Sequence, residues 1–453
     1  MSLRTLSQNK LSTKRYNITD AIYANYWLST ISGATISSPG NRAVAIDSTG
    51  AIYIVINTSL GTGGVDSSII KYNTSGGVIW QKAFGSSGNN EIALSIDVNP
   101  LTNNIYLLSY VSGSSPRVQY VTSYDANGNL NWQKSIIQSN NNSSISNMCY
   151  DYVNDRVLLT GVWYNPTVVG GYTYTYGNLA ILYNDGTLYA TKTFGGGADY
   201  SASGLMDATV DGSGTIYLCG YGNIGSSGGN HLFYKFTAPN TRVWSYAYYS
   251  GYSNCIRTDS IGYIYVYGTW SATNNRADAK PTLFKFDGSG NVVWARRLNQ
   301  ICTSTSMAID SSNNIFTIFT YTGGDSSNDV FIIKYDPDGT ILWKRVIRSN
   351  SVVSDLAAGI ITDSAGDFYI SISDATNSKQ SLLHLPGDGS LTGGPYGGYY
   401  YESTTSVTDS SLSVALTSIS GTTAGNASTP SIATTSLASQ SVSHTFTNTP
   451  ISL

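Results

Sequence analysis

The feature that most limits what this chain can fold into is one short stretch that keeps returning. At Ile333–Trp343 it reads IKYDPDGTILW: an apolar-aromatic run into Asp336, a tight turn carrying Gly339, then an apolar pair ending in Trp343. It recurs at Lys71–Trp80 (KYNTSGGVIW), Ser123–Trp132 (SYDANGNLNW) and Lys285–Trp294 (KFDGSGNVVW), with weaker copies at Lys235–Trp244 and Leu182–Tyr189. Each copy predicts two short strands around a turn. One hairpin at a fixed period marks a repeat architecture.

A second motif keeps the same period. A short strand ends in Asp, turns, and continues as an Ile-Tyr strand: AIDSTGAIY, SIDVNPLTNNIY, TVDGSGTIY, RTDSIGYIY, AIDSSNNIF and ITDSAGDFY, with a degenerate third copy, CYDYVNDRVL. The turn Asp is read at Asp47, Asp97, Asp151, Asp211, Asp259, Asp310 and Asp363, 48 to 60 residues apart. One unit is therefore four short strands, a to d. Seven such units with no helical period predict an all-β fold, a seven-bladed β-propeller of four-stranded blades. The ends support the count. The seventh unit stops at Ser381–Leu385 without a Trp strand, and Asn25–Ile31 is a Trp strand without a unit before it. The N-terminal strand is expected to close the ring as strand d of blade seven, which removes a free sheet edge. Ser390–Tyr396 is the poorer candidate for that place. The resulting division is a basic arm (1–24), the propeller (25–395) and a Tyr/Ser/Thr-rich C-terminal extension (396–453) with some strand character.

Charged residues make up 11% of the 453 positions, against a usual quarter, and polarity comes instead from Ser, Thr, Asn, Gly and 35 Tyr. No apolar run is long enough for a membrane helix, so membrane insertion is not expected. The net charge of −3 argues against a nucleic-acid partner. Cys149, Cys219, Cys255 and Cys302 form no CxxC pair, and His231, His384 and His444 are scattered, so neither disulfide framework nor metal site is expected. The carboxylates of the DxDG at Asp336–Gly339 could share a cation. The other repeats have NTSG, DANG and DGSG there, and turn chemistry accounts for all of them. No serine elbow, phosphate loop or other enzyme motif is visible, and no cofactor is implied. Trp80, Trp132, Trp294 and Trp343 are expected at equivalent, largely buried places. The N-terminus has no apolar signal core, which predicts export by another route or a place in an assembled particle.

Asp47–Gly50, Ile52–Tyr53, Ile70–Asn73 and Gly77–Phe84 together give the pattern DxxGxIYhxG…hhKYDxxGxhhWxKxF. This resembles the SBBP-type seven-bladed β-propeller repeat over roughly residues 40–385, and the resemblance implies a propeller used for binding or assembly. The hairpins resemble the Asp box of sialidases only loosely, and that family's arginine cluster is not visible. In composition the chain is similar to structural proteins of tailed bacteriophages. That resemblance implies a non-enzymatic virion protein of tail, baseplate or capsid surface, whose partners are other virion proteins, itself or a host-surface glycan. A secreted or cell-surface bacterial propeller, glycan-binding or glycan-active, is the alternative.

Contacts are expected on the face carrying the long b–c and d–a segments, because function on a rigid scaffold gathers in its variable loops. The longest, Gly161–Asn178, is read as a loop carrying Trp163, Tyr164, Tyr172, Tyr174 and Tyr176. Tyr246 and Tyr249 lie in the d–a segment YAYYSGY. Such rings can stack on sugars or fill protein pockets.

Overall fold

The computed structural model describes residues 26–32, 42–58, 65–84, 89–114, 117–137, 143–169, 172–194, 203–224, 227–238, 241–248, 250–271, 278–321, 328–349, 355–374, 376, 379–396, 399–404, 407–411, 417–418, 431–434, 439–441 and 445–450. Seven antiparallel four-stranded blades form a propeller ring. Blades one to six span 44–84, 90–137, 144–194, 203–248, 251–298 and 302–349. Blade seven takes strands a to c from Asp355–Thr362, Phe368–Asp374 and Lys379–Leu385, and strand d from Trp27–Ser32. The register places Trp27 opposite His384 and Ile31 opposite Gln380. The N-terminal strand therefore closes the ring, as its orphan Trp predicts. The a strands of successive blades stand side by side around the axis. Inward-facing Ile, Val, Leu and aromatic residues pack in the spaces between blades, as in the cluster of Val44, Ile54, Tyr72, Tyr369 and Trp27 that joins blade seven to blade one.

The C-terminal extension does more than trail. Tyr399–Ser403 adds a fifth strand outside strand d of blade six, and Gly393–Tyr396 adds a sixth. The other candidate for closing blade seven thus lies on the neighbouring blade. Asp409–Ser411 then pairs with strand d of blade five, Thr417–Ser418 with blade four, Ser431–Thr434 with blade two and Ser439–Ser441 with blade one. Finally Thr445–Pro450 pairs with Trp27–Ser32, leaving the N-terminal strand between two C-terminal segments. The extension runs round the ring against the blade order. Among the described residues, blade three alone has no fifth strand.

One reading of the repeat needs correction. The blade-two turn is closed by Asn99, not Asp97: Asn99 Oδ1 accepts the backbone N–H of Leu101 at 2.8 Å, and Asn103 N donates to Asn99 O. Asp97 is nine positions before Tyr106, against six from Asp47 to Tyr53, and it stands opposite Tyr106 where blade one has Ala45 opposite Tyr53, two places before the cap. Asp97 is thereby released from turn duty.

Candidate functional site

Most of the repeated polar residues are consumed by the scaffold. Asp47 Oδ1 accepts the N–H groups of Thr49 and Ala51, and Oδ2 accepts the Tyr53 hydroxyl at 2.8 Å. Burial opposes its ionisation, but these hydrogen bonds hold the carboxyl below its usual range. Tyr217 and Tyr265 bond Asp211 and Asp259 in the same way. Lys71 Nζ lies 3.6 Å from Asp47 and donates to the carbonyl of Ala126 in the next blade. The Trp80 indole N–H donates to that same carbonyl at 3.1 Å. Lys285 and Trp294 share Pro337 O, and Lys334 and Trp343 share Gly387 O. In blades one, five and six the Lys-Trp pair is thus one latch to the next blade, while blade two keeps only the Trp132 indole bond, to Asn184 O, and blade three has Leu182 and Tyr189 at these places. The four tryptophans hold equivalent, partly buried positions, packed against the core clusters with the indole over the neighbouring turn.

His384 stands where blades one, four, five and six carry a lysine, with Nε2 3.6 Å from Asp363. Its ligand atom and those of Asp363 and Asp367 lie within 4.8 Å of one another. This grouping brings together residues that look scattered in sequence. Asp363 already accepts the N–H groups of Ala365 and Asp367, while Asp367 accepts those of Gly387 and the Tyr26 hydroxyl. Both carboxylates thus have turn and latch roles.

The long blade-three segment is a β-hairpin, not a loop. Strand b runs Arg156–Val169 and strand c runs Tyr172–Tyr183, 14 and 12 residues against 7 each in blade one. The pairing continues because alternating Tyr and Thr suit a pleated strand. Trp163 pairs across to Tyr176, with ring centroids 5.4 Å apart. Trp163 is half-buried and Tyr176 buried. Tyr164, Tyr172 and Tyr174 lie further out on the same two strands, and their side chains are outside the described residues. Tyr246 is not with this group. It is a half-buried residue of blade four, stacked on Trp244 at 5.3 Å. Tyr249 lies outside the described residues.

A second polar site, on the ring axis, is not visible as a motif. Arg42 precedes strand a of blade one. Its Nε donates to Asp207 Oδ1 of blade four at 2.9 Å, its Nη2 to Ala208 O at 2.6 Å, and its Nη1 lies 3.4 Å from Asp97 Oδ2 of blade two. Arg257 of blade five donates to Asp207 Oδ2 at 2.6 Å. Asp207 is fully buried and also accepts from Asn147 Nδ2 and the N–H groups of Ala208 and Ile256. Burial alone would push its carboxyl up. The Arg42 and Arg257 guanidiniums outweigh that and hold it low. The result is an alternating chain of charges, Asp97–Arg42–Asp207–Arg257, across the channel from blade two to blade five. Beside it lies a cavity of 260 Å³ walled by strand-a residues, among them Val44, Ile96, Met307 and Ile360. The signal that could have found it is positional. The residue two places before the turn cap is Ala45, Cys149, Thr209, Ala308 or Ile361 in five blades, but Asp97 and Arg257 in the other two.

The strand topology defines the class: a seven-bladed β-propeller whose C-terminal extension adds outer strands to its blades. No family model and no curated protein sequence matches the chain. Among solved structures it is similar to the polysaccharide lyase Uly1, at 10% identity and a TM-score of 0.45, over 84% of this chain and 94% of that one. It is also similar to the NanB sialidase from Streptococcus pneumoniae, at 11% identity and a TM-score of 0.37, over 84% of this chain and 71% of that one. A protein from Dyadobacter fermentans aligns at 8% identity and a TM-score of 0.42, over 79% of this chain and 98% of that one.

Proposed function

We propose that this propeller is a non-enzymatic binding and assembly protein, a virion component of tail, baseplate or capsid surface. In this reading it joins neighbouring subunits and contacts a host-surface glycan through the blade-three hairpin. The observation that carries the reading is the hairpin itself. Strands b and c of blade three are extended beyond the ladder of blade one and carry Trp163, Tyr164, Tyr172, Tyr174 and Tyr176. A paired ribbon presents aromatic rings with little conformational entropy to lose on binding. The repeated carboxylates are engaged by their own turns, which leaves few free groups for chemistry. A glycosidase would need two carboxyl groups flanking one bond. Among the described residues lining the axial cavity Asp97 is the one carboxylate, and Asp207 is committed to five donors.

Replacing residues 164–174 with a two-residue Asn-Gly turn tests this reading. The blade core should survive, with melting changed by only a few degrees, while attachment to cells or to the partner particle is lost. Unchanged attachment would refute the contact role. Mass spectrometry of purified particles against the secreted fraction decides between virion and free secreted protein.

A further inference from the structure

The hairpin leaves the axial cavity without a role, and the cavity is more than a gap. In five blades the position two residues before the turn cap is small, neutral or apolar. Blades two and five alone place charges there, and these blades stand on nearly opposite sides of the ring. Asp97 is available because Asn99 has taken over its turn. One oxygen of Asp97 accepts Tyr150 N–H at 2.9 Å and lies 3.4 Å from Arg42, and among the described residues the other accepts only the N–H of Val98. Its side chain keeps 24% exposure. Arg257 uses Nη1 alone, towards Asp207 and Ile256 O. Its Nε and Nη2 carry no acceptor among the described residues, and both Arg257 and Asp97 line the cavity.

The ion chain holds these two ends in place. Asp207, buried and bound by two arginines, fixes Arg257 from behind, so the remaining guanidinium edge is presented without loss of side-chain freedom at binding. A guanidinium edge matches a carboxylate, with two parallel N–H donors. A carboxylate matches an ammonium group. Arg42 also lines the cavity, but its guanidinium is engaged by Asp207, Ala208 O and Asp97; the rest of the wall is mostly aliphatic, Val44, Ile96, Met307 and Ile360 among it, with no aromatic platform of the kind that sugars stack on. We infer that the axial cavity binds a small zwitterion with an aliphatic body, of the class of a free aliphatic α-amino acid, its carboxylate on Arg257 and its ammonium on Asp97. The pocket volume of 260 Å³ suits a ligand of that size.

Titration calorimetry on the full chain tests the assignment, with L-leucine, isocaproate, isoamylamine and D-glucuronate as probes. Isocaproate lacks the amine of leucine and isoamylamine lacks its carboxylate. Leucine should bind, with each half-ligand weaker by about tenfold or more. Asp97→Asn keeps an acceptor for Tyr150 N–H but removes the charge. It should reduce leucine to the affinity of isocaproate and leave isocaproate unchanged. Arg257→Lys should weaken leucine and isocaproate together. If that variant fails to fold, the probe series on the parent protein and the Asp97→Asn comparison still decide the question. No heat from leucine at about ten millimolar would overturn the inference, as would equal leucine binding by parent and Asp97→Asn, or a preference for glucuronate. A cavity sealed by a purely structural ion chain gives the first of these results.

Discussion

Trp294 donates its indole N–H to Pro337 O and lies against Gly339 of the next blade. Gly339 has φ +80°, and a Cβ there would sit 2.9 Å from the Trp294 ring. The glycine is therefore required twice, for its backbone and for its missing side chain. The same fit recurs where Trp27 meets Gly76, across the closure of the ring, with φ +80° and a Cβ distance of 2.5 Å. Because the indole is half-buried, Trp294→Ala should cost about 2–3 kcal/mol rather than the larger figure for a fully buried tryptophan. Denaturant titration checks this, and a loss below about 0.5 kcal/mol would mean the latch is ornamental.

Two buried groups give residue-scale pH effects of opposite sign. Burial drops His231 to a pKa of about 3, among Phe233, Tyr248 and Phe284. Its ordinary value is 6.5, so below that the unfolded chain takes a proton that the fold refuses. Stability from this group is full above pH 6.5 and falls as the pH drops towards 3. Asp355 behaves inversely. It is fully buried, and burial raises it from 3.8 to about 7, with Asp374 and Asp329 adding to the rise. The fold then holds a proton that the unfolded chain releases, so stability falls as the pH rises from 3.8 to 7. Asp355→Asn removes that loss while leaving an oxygen for the N–H of Ser349. The variant should melt higher than the parent at pH 7.5 and nearly equal to it at pH 4. Equal melting at both values would show that Asp355 titrates normally.

At the scale of the element, the two ends of the chain do different work. Trp27–Ser32 is an inner strand of blade seven, with Leu28 and Ile31 fully buried. Removing residues 1–32 takes a whole strand and the Trp27 indole bond to Thr74 O from the ring. That should prevent closure and abolish a sharp melting transition. The outer strands of the extension pair with strand d of six blades and satisfy edges. Without residues 405–453 the propeller should still melt cooperatively. It would expose unpaired d strands on five blades and should self-associate, since open edges template pairing. Analytical ultracentrifugation separates the cases, and a strictly monomeric truncation would refute the edge-covering role.

For the whole molecule, successive blades share apolar interfaces, and blades one, five and six are also latched to the next by a tryptophan and a lysine on one carbonyl. Trp27 supplies the link from blade seven back to blade one. No blade can leave without breaking two interfaces. Unfolding followed by indole fluorescence and by far-ultraviolet circular dichroism should therefore coincide in one transition, despite the repeat architecture. Two separated transitions would mean that blades melt independently.

What the sequence by itself determined is local and periodic. The Asp turns, the Ile-Tyr strands and the Trp hairpins set the seven blades, their strand order and the place of the orphan strand, because turn chemistry and period-two burial act over a few residues. The tertiary structure alone decided what depends on residues far apart in the chain. It paired Arg42 with Asp207, 165 positions away, because only ring closure brings strands a of blades one and four to the axis. It moved Asp97 from a turn to the channel, since the cap falls at Asn99 and leaves Asp97 two places back on strand a, opposite Tyr106. It also turned a Ser/Thr-rich extension with little apolar content into outer strands. Those strands draw their stability from the hydrogen bonds of d strands already in place, and a pattern of side chains cannot announce a ladder offered by another part of the chain.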